Sequence, residues 1–302
     1  IEQSNKKMKE MKIKTIRVFT IILLTGFMYS CQKQEVIEEV LPTICENSEA
    51  CRITKNISYN NVNVDVIIDK PINDVVDVLV VYHGTATLDS KILEAANKTL
   101  DNFKDILDRQ DMMIMSVVYP EENILFGDNI LQAEAALLWV KNEAAQELGI
   151  TIEKIFLGGH SQGGYLVTRL NTLHETNGVI ASAPGPLNLK YRCQLEEDEV
   201  INNQAVCTLL KNEYGTTVQN PNEYTERSLL NYTNEYKSDI LFVQGLQDSY
   251  LQMYSWPLFK QQITDCINCQ ITQFLELPDY GHPALFQSPD AKLEFNTFIN
   301  NR

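Results

Sequence analysis

A serine lies at the centre of a glycine-rich segment that could make it a nucleophile. Ser161 stands in the segment GHSQG at 159–163, directly after the apolar residues 155–157. A serine hydroxyl attacks carbonyl carbon well only when the backbone holds it exposed beside a base, on a sharp turn between a strand and a helix. The glycines at both ends of the segment permit the close approach of strand and helix that such a turn requires. We therefore predict that Ser161 is a nucleophile.

His282 is the best placed of the chain's four histidines to serve as the base. His160, next to the serine, is expected to point to the other side of the turn. It follows the last predicted strand, where a loop would return it to the carboxyl edge of a parallel sheet. An imidazole base also needs a carboxylate that fixes its tautomer. Asp248 follows the strand at 239–244, and the alternative, Asp279, lies on the same short loop as His282. The order serine, acid, histidine that accompanies this motif favours Asp248.

Two backbone N–H groups are needed to stabilise the oxyanion that forms during attack on a carbonyl. Gln162, immediately after the serine, supplies one from the start of the next helix. The second is expected from the loop after the first buried strand, where Thr85 is the preferred donor and Gly84 the alternative.

The elements that must position these residues alternate along the chain. A hairpin is predicted at 53–59 and 62–68, around two asparagines. Continuous apolar runs then alternate with helical periodicity, which predicts an α/β fold: a mostly parallel central sheet with helices on both faces and the antiparallel hairpin at its edge. Further strands are expected at 75–82, 113–119, 154–161, 179–183, 239–244 and 271–277, with helices at 89–109, 129–148, 163–174, 257–264 and from 289 onward. Ser288 is expected to cap the last helix, with Pro289 at its first position.

About 50 residues, 187–237, interrupt this alternation. A long insertion in a compact domain is typical of a lid over an active site, and the alternative is a surface excursion without substrate contact. Its acidic run at 196–199 is interpreted as a solvated face.

These residues together resemble the α/β-hydrolase superfamily over 53–302. The segment at 159–163, the His83-Gly84 pair, Asp248 and His282 carry the resemblance, and the doubled glycine after Gln162 is similar to feruloyl or acetyl esterases and to prolyl-oligopeptidase-like catalytic domains. The resemblance implies acylation of Ser161 by an ester or amide carbonyl, protonation of the leaving group by His282, and attack of water on the acyl-enzyme. It implies no cofactor and no metal.

The N-terminal residues indicate export. A basic region precedes the apolar stretch at 18–29, which is too short for an ordinary membrane-spanning helix, and Cys31 follows at once. We interpret 1–30 as an upstream extension and signal peptide that resembles a bacterial lipoprotein signal, 31–52 as a lipidated tether and 53–302 as the catalytic domain. The predicted location is the cell envelope, with Cys31 as the lipid anchor. A signal cleaved elsewhere, or an uncleaved anchor, is the alternative.

The charge of the chain excludes some partners. Without residues 1–30, 19 basic and 38 acidic residues leave a formal charge of −19. Such a surface argues against nucleic-acid binding and against adhesion to anionic lipid. The expected partner is a small-molecule or glycan-linked ester.

Apart from Cys31, six cysteines remain, an even number that fits an oxidising compartment. Their placement suggests three local disulfides, although fifteen connectivities are possible for six cysteines. The closely spaced last pair could instead be a redox motif or half a zinc site, but it has no second cysteine pair nearby. The suggested pairs are Cys45 with Cys51, Cys193 with Cys207, and Cys266 with Cys269.

Three functions fit the sequence. The preferred one is a serine-dependent carboxylic-ester hydrolase. The second is an oligopeptidase-like serine peptidase, although the chain lacks the large N-terminal domain common in that group. The third is a surface binding protein on a hydrolase scaffold, which the filled triad positions disfavour.

Overall fold

The computed structural model describes residues 50–302, all of which belong to one compact unit. Eight strands form a single sheet. They are β1 (Cys51–Tyr59), β2 (Val62–Lys70), β3 (Val75–Tyr82), β4 (Met113–Val118), β5 (Thr151–His160), β6 (Gly178–Ser182), β7 (Ile240–Gly245) and β8 (Thr272–Leu277).

The strand order across the sheet is β1-β2-β4-β3-β5-β6-β7-β8. β1 and β2 pair antiparallel, β2 also pairs antiparallel with β4, and every other neighbouring pair is parallel. Asn60 and Asn61 form the hairpin turn with φ of 50° and 66°, a conformation that asparagine tolerates better than most residues. The predicted fold class, with its antiparallel edge hairpin, is confirmed.

Helices cover both faces of the sheet. In β3, Val78, Val80 and Tyr82 pack into one core, whereas Leu79 and Val81 pack into the other. Because successive side chains of a strand point to opposite faces, a strand buried on both sides is apolar at nearly every position. The one acid of β3, Asp77, is buried and accepts a hydrogen bond from Arg109 at 2.6 Å. The helices are α1 (Ile92–Ile106), α2 (Ile130–Asn142), α3 (Ala144–Leu148), α4 (Gln162–Leu173), α5 (Leu189–Glu197), α6 (Ala205–Tyr214), α7 (Pro221–Thr225), α8 (Tyr250–Thr264), α9 (Ala284–Gln287) and α10 (Pro289–Asn300).

Two helix boundaries differ from the prediction. The helix expected to begin at Pro257 begins at Tyr250, because the Ser249 side chain caps it by accepting the Gln252 N–H, and Pro257 lies inside it. The helix predicted over 129–148 is divided at Glu143, whose φ of −128° leaves the helical region. Proline is favoured at a helix start, but here the serine cap sets the boundary.

The insertion at 187–237 is helical and has a small core of its own. α5, α6 and α7 enclose Leu189, Leu210 and Tyr224, together with the disulfide between Cys193 and Cys207. Cys266 and Cys269 are also bonded to each other. Cys51 is disulfide-bonded as well, whereas its predicted partner, Cys45, lies outside the described residues.

The interpretation of the acidic run as a solvated face is correct for Asp198 and Glu199, which are exposed, but wrong for Glu196, which is buried. Glu196 is only 5% exposed. Its carboxylate accepts hydrogen bonds from Arg192 Nε at 3.1 Å and from the Gln204 N–H at 2.8 Å. Glu197 accepts from the Thr217 N–H and hydroxyl. These acids therefore connect the helices of the insertion.

We predict that the Cys193→Ser, Cys207→Ser double variant has a free energy of unfolding about 3 kcal/mol lower than that of the wild type. A disulfide that closes a loop of about 15 residues is expected to contribute about that much. The two cysteines are 14 residues apart. Urea unfolding measures the change. The Cys266→Ser, Cys269→Ser variant is the control, since its cysteines are 3 residues apart and a shorter loop contributes less. Equal losses in both variants would contradict the expectation.

Within residues 50–302 no helix is both long enough and apolar enough to cross a membrane. The predicted signal peptide, and Cys31 with it, fall outside the described part of the chain.

Candidate active site

Ser161 occupies a sharp turn between β5 and α4. Its φ of 59° and ψ of −119° are uncommon for a residue with a side chain. The Ser161 N–H donates to Ser182 O at 2.9 Å, and Ser161 O accepts from Tyr165 N at 3.0 Å. Neighbouring β6 and the first turn of α4 thus hold the serine in a strained conformation, which places its hydroxyl at the carboxyl edge of the sheet.

The two glycines of the turn are required by contact distances. A Cβ at Gly159 would lie 2.1 Å from Gly163 O, and one at Gly163 would lie 1.9 Å from Tyr82 O. Since the nearest atoms are backbone atoms of α4 and of β3, no side-chain movement could relieve either clash.

We predict that Gly163→Ala destabilises the protein by about 4 kcal/mol or more, since the clash must move backbone in a packed core. Gly149→Ala is the matched control. Gly149 has φ of +64° but nothing lies within 4 Å of its added Cβ, so only the conformational cost of about 1 kcal/mol applies. Urea unfolding compares the two, and a Gly163→Ala variant no weaker than Gly149→Ala would refute the argument.

His282 and Asp248 come together from loops after β8 and β7. His282 Nδ1 lies 2.8 Å from Asp248 Oδ2. Gln244 Nε2 also donates to that oxygen, at 3.1 Å, and the Ser249 N–H donates to Oδ1 at 2.6 Å. Burial raises the pKa of Asp248, but the hydrogen bonds from His282, Ser249 and Gln244 and the His282 charge outweigh it, so the pKa lies below its ordinary value. Asp248 is therefore ionised at neutral pH.

The predicted triad residues share one cavity. Ser161, Asp248 and His282 all line a space of about 450 Å³ at the carboxyl edge of the sheet. The carboxylate side chain is 4% exposed and the imidazole 44% exposed. A buried acid that holds an accessible imidazole is the arrangement that a general base requires.

The loop after β3 passes directly over the serine. A Cβ at Gly84 would lie 3.4 Å from Ser161 Cβ and 4.0 Å from its Oγ. Thr85 Oγ1 donates to Gln162 Oε1 at 2.8 Å, which connects the two predicted oxyanion residues. Gln162 opens α4, where a backbone N–H has no intrahelical acceptor. Among the described residues, the Thr85 N–H has no hydrogen-bond acceptor either.

A second cavity of about 350 Å³ adjoins the first. Thr85, Thr87 and Phe126 line both, as do Ala205 and Val206 from the insertion. The insertion also contributes Leu187, Leu189 and Arg192 to the cavity that contains the serine. Residues 187–206 thus form part of the cavity walls.

His160 lies elsewhere than predicted. It was expected on the far side of the turn, but its ring centroid is 4.7 Å from that of His282. Its Nδ1 is 3.3 Å from Ser182 Oγ. Burial lowers the pKa of His160 to about 4, and the neighbouring His282 contributes to the shift. His160 is therefore a neutral packing partner for the His282 ring.

Sequence reasoning missed the residues that support the loop over the serine. His83 is fully buried and stacks on Tyr119, with ring centroids 3.9 Å apart. Burial lowers the pKa of His83 to about 4. The Tyr119 hydroxyl donates to His83 O, and Glu121 Oε2 accepts the Ala86 N–H at 2.5 Å. Tyr119 and Glu121 come just after β4. Their position at the carboxyl edge of the sheet was the signal in the sequence that could have indicated a role near the site.

No group of three or more histidine, cysteine or acidic residues in the range 50–302 is arranged to hold a metal ion. The closely spaced pair Cys266 and Cys269 is a disulfide, so it is neither a zinc half-site nor a reduced dithiol.

The fold is that of the α/β-hydrolases. An esterase from Pyrococcus furiosus is similar with a TM-score of 0.61 and 15% identity, over 83% of this chain and 91% of that one. An esterase from Rhizomucor miehei has a TM-score of 0.61 and 14% identity, over 84% of this chain and 83% of that one. No protein-family model and no curated protein matches the sequence.

An acylaminoacyl peptidase from Pyrococcus horikoshii is also similar, with a TM-score of 0.57 and 14% identity. The match covers 83% of this chain but only 42% of the peptidase. The structural neighbours of this chain are thus esterases and a peptidase that share its fold.

Proposed function

We propose that this protein is a serine hydrolase that cleaves carboxylic esters. The observation that carries the proposal is the convergence of Ser161, His282 and Asp248 on one cavity, with the imidazole held at 2.8 Å by a buried carboxylate. Ser161 is the nucleophile, His282 the base and Asp248 the acid that orients it.

The reaction follows from the positions of these groups. With Nδ1–H donated to Asp248, the His282 Nε2 carries a lone pair and takes the Ser161 proton as Oγ bonds to the ester carbonyl carbon. The Thr85 and Gln162 N–H groups stabilise the oxyanion. His282 then protonates the departing alkoxide, leaving an acyl-enzyme. Water attacks that ester with the same base, which releases the acid and restores the serine.

The cavity walls favour an ester over a long peptide. The insertion lines the site through Leu187, Leu189 and Val206. Together the two adjoining cavities are of a size that suits a small molecule. The alternative function is that of an oligopeptidase-like peptidase. The structural similarity to the acylaminoacyl peptidase supports this alternative.

Hydrolysis of p-nitrophenyl butyrate and of N-acetylalanyl p-nitroanilide separates these functions. Faster turnover of the ester, by a hundredfold or more in kcat/KM, supports the esterase. The opposite preference would establish the peptidase. Failure of a fluorophosphonate probe to label the protein, with no turnover of either substrate, would refute both and leave a binding protein on a hydrolase scaffold.

We further propose that the protein works outside the cytoplasm, anchored through a lipid on Cys31. The two disulfides among the described residues support an oxidising compartment. In a bacterial host that expresses the full precursor, labelled fatty acid should be incorporated into the wild type and not into Cys31→Ala. Equal labelling of both would exclude this anchor.

A further inference from the structure

Glu121 is a partly buried carboxyl group beside the predicted oxyanion residues. It lines the second cavity together with Thr85 and Gln162. Its Oε1 is buried and has no hydrogen-bond partner, and among residues 50–302 no cation pairs with it. A carboxyl group so placed costs free energy when it is ionised, so its presence requires an explanation.

Its other oxygen holds the backbone of the loop that crosses the serine. Glu121 Oε2 accepts the N–H of Ala86, the residue after Thr85, at 2.5 Å. Asp89 Oδ1 accepts the N–H groups of Glu121 and Glu122 at 3.1 and 3.0 Å, and Glu122 Oε2 accepts the Asp89 N–H at 3.1 Å. These reciprocal bonds fasten the loop after β3 to the segment after β4.

The groups that face Glu121 are acidic or neutral. Burial raises the pKa of Glu121 to about 8, and the charge of Asp89 adds to the shift, while the Ala86 N–H opposes it. Burial also raises the pKa of Tyr119 well above its ordinary value, so its hydroxyl is neutral. His83 is neutral because burial lowers its pKa to about 4. Glu121 is thus uncharged at neutral pH and acquires its charge in mildly alkaline solution.

We propose that Glu121 is a positioning residue of the oxyanion hole: as a neutral acid it holds the Ala86 N–H and so directs the preceding Thr85 N–H into the cavity, and its ionisation impairs the hole. The impairment is electrostatic, because a negative charge beside the developing oxyanion destabilises the transition state. This inference rests on the proposed esterase function, in which Thr85 is an oxyanion donor.

The test compares Glu121→Gln with Glu121→Leu in the esterase assay between pH 6.5 and 9.5. Wild-type kcat/KM should fall about tenfold or more as pH rises through about 8. Glu121→Gln keeps an acceptor for the Ala86 N–H and cannot ionise, so its activity at pH 7 should stay within about threefold of the wild type and should not fall. Glu121→Leu lacks the acceptor and should lose about 10- to 100-fold in kcat with little change in KM.

Glu122→Gln is the matched control, because Glu122 is exposed and glutamine can still accept the Asp89 N–H. This variant should show the same fall in kcat/KM at alkaline pH as the wild type. Folding is checked by thermal melting. Since the native state binds the Glu121 proton more tightly than the unfolded chain does, wild-type stability should decline relative to Glu121→Gln as pH rises from about 4.5 to about 8.

Two results would overturn the proposal: an alkaline fall that persists in Glu121→Gln, or a folded Glu121→Leu variant with unchanged kcat. A failure of the proposed function looks different. In that case the fluorophosphonate probe would not label the wild type, whereas a failure confined to Glu121 leaves labelling and ester turnover intact.

Discussion

Replacing Ser161 with alanine should reduce kcat for p-nitrophenyl butyrate by roughly 10⁴- to 10⁶-fold while the protein stays folded. Without Oγ no acyl-enzyme can form, and the remaining oxyanion donors and binding groups provide only a small residual rate over water. Fluorophosphonate labelling should disappear together with the turnover. The variant removes a strained residue's hydroxyl and not its backbone, so its melting temperature should remain close to that of the wild type.

Ser116→Ala is the control for loss of a small hydroxyl. Ser116 is buried in β4, donates to Ala96 O at 2.8 Å and lines neither cavity. Its variant should keep wild-type kcat and full labelling. Labelling that survives in Ser161→Ala, or an esterase rate within a hundredfold of the wild type, would place the nucleophile elsewhere and would remove the basis of the proposed function.

Replacing Asp248 with asparagine should reduce kcat by about 10⁴-fold with little change in KM. The asparagine amide can present an N–H to His282 Nδ1, which favours the tautomer with its proton on Nε2, and that nitrogen can then no longer accept the serine proton. The ionised carboxylate also stabilises the imidazolium that forms during attack, and the amide cannot. Single-turnover kinetics with p-nitrophenyl butyrate measures the acylation step on which both effects act.

Asp279→Asn is the matched control, because Asp279 is the other carboxylate near His282 in sequence. In the structure, His282 Nδ1 lies 2.8 Å from the Asp248 carboxylate. The kcat of Asp279→Asn should therefore remain within about threefold of the wild-type value. A loss in Asp279→Asn as large as that in Asp248→Asn would mean that the acid had been assigned to the wrong loop.

Some features of this protein follow from local sequence alone. The nearly continuous apolar run of β3 predicted a strand buried on both faces, because a strand with one solvent-exposed face would alternate between apolar and polar residues. The paired asparagines predicted the hairpin, and Ser288 with Pro289 predicted the start of α10, where the serine side chain caps the Ala291 N–H. The GHSQG segment predicted the turn at Ser161, since only glycine fits the backbone contacts on either side.

Other features depend on contacts between distant segments. Glu196 was interpreted as solvated, because a run of four acids gives no sign that Arg192 and the Gln204 N–H will enclose one of them. His160 was placed away from His282, since the return path of a loop 122 residues later cannot be read locally. The start of α8 is a different case, because the Ser249 cap that sets it is a local contact with the Gln252 N–H, three residues later.

The sequence by itself determined which residue types are available for chemistry, their chain order, and the alternation of strands and helices that brings the carboxyl ends of parallel strands to one edge. The tertiary structure decided which carboxylate contacts His282, which side chains wall the cavities and that Glu121 lies beside the Thr85 loop. The physical reason is the distance along the chain over which each kind of interaction acts. Backbone propensity and periodicity act over a few residues, whereas a 2.8 Å hydrogen bond between Asp248 and His282 depends on the packing of every element between them.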